Sequence, residues 1–145
     1  MRVIAIDHGE RKIGLAISDE MGMVTTTLPV LQAKKDRDKI EGVVSILKEF
    51  NPEIVLIGLP TGTEGEVSVQ GEKVEEFSQK LQEECSKDTT IRPFKVVFWD
   101  ETYSSKQAEK GTKKKFKQQK SDSEAARIVL QEFLDSPDGL VQYQN

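Results

Sequence analysis

The sequence has almost none of the side chains that build disulfides, zinc sites and histidine-based catalytic centres. Cys85 is its one cysteine, so an intramolecular disulfide is excluded, and His8 is its one histidine. These counts argue against a Cys/His zinc site and against a Ser-His-Asp triad. If the protein binds a metal ion, oxygen atoms must supply the ligands.

Long apolar runs and an excess of positive charge are also missing. No run approaches the roughly 20 apolar residues that a membrane-spanning helix needs. Only a few apolar residues lie between Arg2 and Asp7, which is too few for the core of a signal peptide. We therefore expect a cytoplasmic protein. The formal net charge of -4 argues against non-specific coating of nucleic acid, although a local basic cluster still acts on phosphates within about 10 Å.

What is present is the composition of a globular chain. Hydrophobic residues make up 36% and charged residues 32% of the 145 positions. This length suits one domain with its own core. We expect a single domain over residues 1–145, with the tail from about residue 138 unassigned.

The first eighteen residues predict a β-hairpin. Arg2–Ile6 and Lys12–Ser18 alternate polar and apolar residues, as strands do. Asp7 ends the first strand beside two glycines, Gly9 and Gly14, which leave the backbone open to a phosphate and its metal ion. The alternative is that Asp7 only begins a turn, because Asp and Gly are common turn residues.

The rest of the chain predicts an α/β fold. A third strand over Met23–Val30 belongs at the sheet edge, because Pro29 lacks an N–H. The later elements are a helix from Asp38 to Phe50, a buried strand Ile54–Gly58 parallel to the first strand, a glycine-rich loop Thr61–Gly65, a helix Ser68–Cys85, a buried strand Phe94–Trp99 and a helix from Ser104 or Ser105 that includes Lys106–Lys110.

A last helix is predicted by a capping box, in which Ser121 precedes Glu124 by three residues. Its expected apolar face consists of Ala125, Val129, Phe133 and Leu134. This start places Asp122 in the first turn. The helix macrodipole alone favours an acidic residue there, so Asp122 by itself carries no functional argument.

Three acidic residues fall where strands end or a helix begins. Asp7 ends the first strand, Glu101 follows the last strand, and Asp122 opens the last helix. Acidic groups at the ends of central strands can converge across a mixed sheet. Three carboxylates without histidine suit Mg²⁺ or Mn²⁺. The matching chemistry is phosphodiester hydrolysis with two metal ions about 4 Å apart.

A lysine-rich run lies between the two later acidic residues. Phe116 and two glutamines interrupt it, and its members are Lys113, Lys114, Lys115, Lys117 and Lys120. The run could hold a phosphate backbone, in which case affinity falls with added salt. A solvated loop is the alternative.

Together these residues resemble the YqgF family of Holliday-junction-resolvase-like nucleases. The motif residues are Asp7, Gly9, Arg11, Gly14, Ser18, Gly58, Leu59, Pro60, Asp100, Glu101, Asp122, Ala125 and Ala126. The resemblance runs from Met1 to about Leu134. It implies an RNase H-like fold, with a five-stranded mixed sheet (three antiparallel strands, then two parallel ones) and helices on both faces. It also implies a cytoplasmic bacterial nuclease that processes the 5′ end of precursor 16S ribosomal RNA.

By position, the resemblance assigns catalysis and metal binding to Asp7, Glu101 and Asp122. We place Arg11 with the lysine-rich run as a nucleic-acid contact. Two residues depart from the family pattern: Thr102 replaces an arginine, and Gly62 replaces an asparagine. Arginine holds a phosphate in a forked geometry that threonine cannot copy. The departures therefore concern the grip on substrate rather than metal binding.

Three other functions compete with the ribosomal RNA nuclease. A Holliday junction resolvase is the first, and because it must cut two strands symmetrically it would act as a two-fold dimer. We favour a monomer, with a homodimer as the alternative. A catalytically inactive nucleic-acid-binding module is the second. An ATPase of the actin and sugar-kinase type also begins with an Asp and Gly hairpin, but it closes two similar domains over ATP and 145 residues supply one.

Overall fold

The computed structural model describes residues 1–59, 69–100 and 122–135. In chain order its elements are β1 (Val3–His8), β2 (Lys12–Ser18), β3 (Thr25–Gln32), α1 (Asp36–Phe50), β4 (Ile54–Leu59), α2 (Val69–Ser86), β5 (Lys95–Asp100) and α3 (Asp122–Asp135). None of the helices in these ranges is long and apolar enough to cross a membrane.

The five strands form one mixed sheet in the order β3-β2-β1-β4-β5. β1 runs antiparallel to β2, and β2 runs antiparallel to β3. β1, β4 and β5 are parallel to one another, which confirms the predicted arrangement. β3 is an edge strand as predicted and begins two residues later than expected, at Thr25. Pro29 is exposed there, where its missing N–H disturbs no central ladder.

Helices cover both faces of the sheet, because successive residues of its strands point to opposite sides. On one face, Ile4 and Ile6 of β1 pack with buried residues of α1 and α2. On the other face, Val3 and Ala5 pack with α3. Trp99 joins this second core, as expected, with its ring 5.7 Å from that of Phe133 in an edge-on arrangement.

The first helix begins two residues before the predicted start. It starts at Asp36, and Lys35 at the N-cap makes no side-chain capping bond. Its end agrees with the prediction: Asn51 adopts a left-handed conformation with φ 45° and donates its N–H to the Leu47 carbonyl oxygen at 2.8 Å. Pro52 then prevents further helix.

The apolar face of α3 was only partly predicted. Val129 and Phe133 are buried as expected, whereas Ala125 and Leu134 are only partly buried. The remaining buried positions are Ser123, Ala126 and Leu130, because the helix is rotated toward β2 at its first turn. The predicted helix after Ser104, the loop 61–65 and the capping residue Ser121 lie outside the described residues.

Gly14 and Gly42 offer a paired test of close packing. A Cβ on Gly14 would lie 2.0 Å from the Asp122 carbonyl oxygen, whereas a Cβ on Gly42 would meet the flexible Leu31 side chain at 2.5 Å. We expect Gly14→Ala to lower the free energy of unfolding by about 1–3 kcal/mol or more, because backbone must move. Gly42→Ala should change it by less than about 1 kcal/mol, because Leu31 can change rotamer and alanine favours a helix. Urea denaturation of both variants measures the difference; equal losses would contradict the packing at Gly14.

Cys85 should be chemically inert in the folded protein. Its side chain is buried on α2, and burial, with Asp88 and Glu84 nearby, raises the pKa of its thiol to about 11. Since the thiolate is the reactive form, we expect almost no reaction with a disulfide reagent at pH 8 and complete reaction in denaturant. Rapid labelling of the native protein would show that α2 opens readily.

Candidate active site

Asp7 lies at the carboxyl end of the central strand β1, on the face that α3 covers. Val3 and Ala5 of the same strand contribute to the core beneath α3, and the alternation of the strand places Asp7 on that side. Asp7 is half-buried. Its cross-strand partner is Gly14 of β2. The expectation that Gly14 leaves the backbone open to a phosphate is wrong, because the backbone of α3 lies against this glycine.

Asp122 begins α3, near the opposite end of the sequence from Asp7, and its backbone contacts the strand that pairs with Asp7. The first turn of α3 lies directly on β2, since a Cβ on Gly14 would fall 2.0 Å from the Asp122 carbonyl oxygen and 2.8 Å from the Ser123 nitrogen. Gly14 thus contacts the backbone of Asp122 and pairs with Asp7. Two of the three predicted acidic residues therefore belong to elements that meet at one glycine.

The third predicted acidic residue lies outside the described residues. Asp100 is the last residue of β5 and pairs with Leu59 of β4. The parallel strands β1, β4 and β5 all end at the same edge of the sheet, and Glu101 is the next residue in the chain. Within 1–59, 69–100 and 122–135, no three His, Cys, Asp or Glu side chains form a cluster that could hold a metal ion.

The predicted nucleic-acid contacts are described only in part. Arg11 is exposed in the turn between β1 and β2, and its carbonyl oxygen accepts the Ala33 N–H at 3.1 Å. Its backbone is thereby fixed while its side chain is open to solvent, as a phosphate contact would require. Lys113, Lys114, Lys115, Lys117 and Lys120 lie outside the described residues, as do Gly62 and Thr102.

His8 is separated from Asp7 by the sheet itself. Its ring lies 4.8 Å from the Phe77 ring of α2, on the face opposite Asp7. Burial, reinforced by the nearby Lys39 ammonium, lowers the pKa of His8 to about 4. The imidazole is therefore neutral near pH 7 and carries no charge for a phosphate group.

Lys39 is a buried charge that the sequence analysis missed. It is only 3% exposed, and its Nζ donates to the Gly9 carbonyl oxygen at 2.9 Å. The bond ties α1 to the turn that follows Asp7. A signal was present, because Lys39 precedes the buried Val43 by one helical turn and so lies on the apolar stripe of α1.

Ser123 is a second buried polar residue that the sequence analysis missed, although its helical spacing gave a similar signal. It is 2% exposed, and its Oγ accepts the Leu15 N–H at 3.1 Å. Its spacing to Ala126 and Leu130 places it on the buried stripe of α3. A serine on such a stripe indicates a specific backbone contact, because a buried hydroxyl needs a partner.

Oxygen donors suit this site better than any other ligand type. Asp7 and Asp122 belong to the elements that meet at Gly14, the only histidine lies on the opposite face of the sheet, and Cys85 is buried on α2. Carboxylate oxygens are the ligands that Mg²⁺ and Mn²⁺ prefer. Asp7 and Asp122 could therefore supply oxygen ligands to a divalent cation.

Comparison with known proteins identifies relatives over nearly the whole chain. A protein named "Putative pre-16S rRNA nuclease" from Caldanaerobacter subterraneus subsp. tengcongensis is 34% identical, over 94% of this chain and 97% of its own length. A protein of the same name from Bacillus thuringiensis is 31% identical over 94% and 99%.

Solved structures share the fold at low sequence identity. Thermus thermophilus RuvC has a TM-score of 0.58 at 16% identity, covering 96% of this chain and 97% of that chain. The fowlpox virus Holliday junction resolvase has a TM-score of 0.52 at 14% identity, covering 93% and 98%. The family model described as "RuvX: Holliday junction resolvase" matches residues 1–136. With this match and relatives above 30% identity, the chain belongs to the RuvX family, which confirms the resemblance read from its motifs.

Proposed function

We propose that this protein is a divalent-metal-dependent nuclease that processes precursor 16S ribosomal RNA. The observation that carries the proposal is the meeting of Asp7 and the Asp122 turn at Gly14, at the end of the central strand. The names of the 34% and 31% identical relatives support the substrate. Mg²⁺ or Mn²⁺ is the proposed cofactor, and a cytoplasmic location follows from the substrate.

The acidic residues would hold the cation. Asp7 and Asp122 would supply carboxylates from β1 and α3, and Glu101 follows Asp100, which ends β5, a parallel strand separated from β1 by β4. A pair of divalent ions held by these carboxylates would supply activation of a water molecule and charge stabilisation for phosphodiester hydrolysis. The carboxylates of Asp7 and Asp122 would orient this charge toward a substrate phosphate.

Basic residues would bind the substrate backbone around this acidic centre. Arg11 extends into solvent from the turn next to Asp7, and the lysine-rich run 113–120 directly precedes α3 in the chain. Phosphate contacts of this kind position a nucleic acid without reading its sequence. A monomer is sufficient for cutting one RNA strand.

A Holliday junction resolvase is the second candidate, favoured by the description of the family model that matches residues 1–136. Such an enzyme requires two active sites related by a two-fold axis. A dimer on a four-way DNA junction would support it, whereas a monomer that cuts RNA would support ribosomal RNA processing.

Replacing the proposed metal-binding carboxylates should abolish cleavage. We expect Asp7→Asn and Asp122→Asn to reduce the rate about 100-fold or more, because several kcal/mol of transition-state stabilisation depend on the bound cation. Cleavage of a precursor 16S RNA fragment and of a four-way DNA junction, with Mn²⁺ or EDTA, measures the loss and identifies the preferred substrate.

The matched control for this experiment is Asp135→Asn. Asp135 lies at the other end of α3, exposed, and accepts a hydrogen bond from Gln131 at 3.1 Å. Its replacement should leave the cleavage rate unchanged. Cleavage that persists in EDTA or in Asp7→Asn would contradict the metal-dependent mechanism. Binding without cleavage in the presence of every metal tested would indicate an inactive binding module.

The lysine-rich run should determine how strongly binding depends on salt. We expect the triple variant of Lys113, Lys114 and Lys115 to glutamine to weaken RNA binding and to flatten the plot of log affinity against log salt by about 2, at about 0.7 per lost phosphate contact. Binding is measured on an Asp7→Asn background, which prevents cleavage.

A second triple variant controls for net charge. Lys48, Lys87 and Lys95 are exposed far from the acidic site along the sheet and helices. Changing them to glutamine removes the same charge and should leave the slope nearly unchanged. Equal slopes for the two triple variants would show that the run is only a solvated loop.

A further inference from the structure

The pairing of β2 with β3 is irregular beside Gly14, where α3 reaches the sheet. β2 and β3 pair Ile13 with Leu31 but Leu15 with Leu28, so the register shifts by one residue across Gly14. The pairing of β2 with β1 continues without interruption through the same stretch. The irregularity is a β-bulge on the side of the edge strand, and a bulge disrupts the hydrogen-bond ladder locally.

A side chain from α3 supplies an acceptor at this bulge. The buried Leu15 N–H donates to Ser123 Oγ at 3.1 Å, and Ser123 is 2% exposed. A buried backbone N–H that lacks an acceptor is costly. The bond therefore attaches the first turn of α3 to the strand that lies beside Asp7.

Close packing against Gly14 also holds the first turn of α3. Because Gly14 has no Cβ, the backbone of Asp122 and Ser123 lies directly on β2. The glycine permits the approach, but it provides no directional bond that would fix the rotation of the helix. The hydrogen bond between Leu15 and Ser123 provides that direction, one residue from the Asp122 carboxylate.

A second attachment holds α3 further along its length. Thr25 Oγ1 on β3 donates to Gln131 Oε1 at 3.0 Å, two turns beyond Ser123. Arg127 Nη1, one turn beyond Ser123, also donates to Thr25 Oγ1 at 3.5 Å. Both bonds lie beyond the first turn, which carries Asp122 and Ser123.

We propose that Ser123 is a positioning residue, which holds the first turn of α3 so that Asp122 and Asp7 face one divalent cation across Gly14. This inference rests on the proposed metal-dependent nuclease. Ser123 does not touch the cation or the substrate. It acts through the Leu15 N–H and the backbone of its neighbour Asp122.

The experiment measures Mn²⁺ binding without substrate, by electron paramagnetic resonance of the free ion. We expect Ser123→Ala to weaken Mn²⁺ binding about 10- to 100-fold, the range found when groups that orient metal ligands are removed. RNA binding in EDTA should stay unchanged, and a higher Mn²⁺ concentration should restore cleavage. Ser123→Thr keeps the acceptor oxygen and should bind Mn²⁺ nearly as tightly as the wild type.

Two controls separate positioning from general stability. Ser18 is also 2% exposed and accepts the Val3 N–H at 2.9 Å, at the far end of the same hairpin. Ser18→Ala therefore loses an equivalent bond away from the acidic residues. Thr25→Val removes the second attachment of α3. Both variants should retain the wild-type Mn²⁺ affinity even where thermal unfolding shows lower stability.

Each outcome decides the proposal. A folded Ser123→Ala with wild-type Mn²⁺ affinity would overturn it, and so would Ser18→Ala losing as much affinity as Ser123→Ala. If Ser123→Ala does not fold, Ser123→Cys makes the same comparison, because a thiol is a weak acceptor of similar shape. A wild type that binds no Mn²⁺ overturns the metal-dependent function itself, which distinguishes that failure from a failure of the positioning role.

Discussion

The arrangement of the acidic residues depends on one close contact, the backbone of α3 against the backbone of β2 at Gly14. Only glycine allows it, since a Cβ would fall 2.0 Å from the Asp122 carbonyl oxygen. Gly14 is also the cross-strand partner of Asp7. The missing side chain thus lets the first turn of α3, which carries Asp122, pack against the strand that pairs with Asp7.

The sheet separates two chemical environments at the end of β1. Asp7 lies on the α3 face, whereas His8, the next residue, packs against Phe77 of α2. Burial keeps the imidazole neutral, and Lys39 fixes the following turn through Gly9. The α1 and α2 face therefore supports the turn structurally, while the α3 face carries the carboxylates. Adjacent residues have different roles because a strand alternates between its two sides.

The strands and two of the acidic residues could be predicted from the sequence. The rotation of α3 and its contacts could not, because they depend on residues far apart in the chain. Alternation in the hairpin, β-branched residues in the third strand and apolar runs in the last two predicted all five described strands, because one-sided or complete burial leaves a local pattern. The rotation of α3 was not predictable, since Ala125 and Ala126 are equally apolar and the contact with Gly14 selects between them. Asp7 and Asp122 could be nominated from their positions. The Leu15 to Ser123 bond could not, because its partners are more than a hundred residues apart in the sequence.

An acidic centre in a protein of net charge -4 needs cations before a nucleic acid can bind to it. Carboxylates at a strand end repel a phosphate backbone, so substrate can approach them only when cations intervene. Under the proposed function, divalent ions would neutralise this repulsion at Asp7 and Asp122. Arg11 and the lysine-rich run would attract the rest of the phosphate backbone. Under the same proposal, substrate grip would rest on these basic residues, because Thr102, which follows Glu101 in the sequence, has no guanidinium. Salt should therefore act mainly on binding, and metal ions mainly on the rate of cleavage, since screening weakens exposed charges far more than coordinated ones.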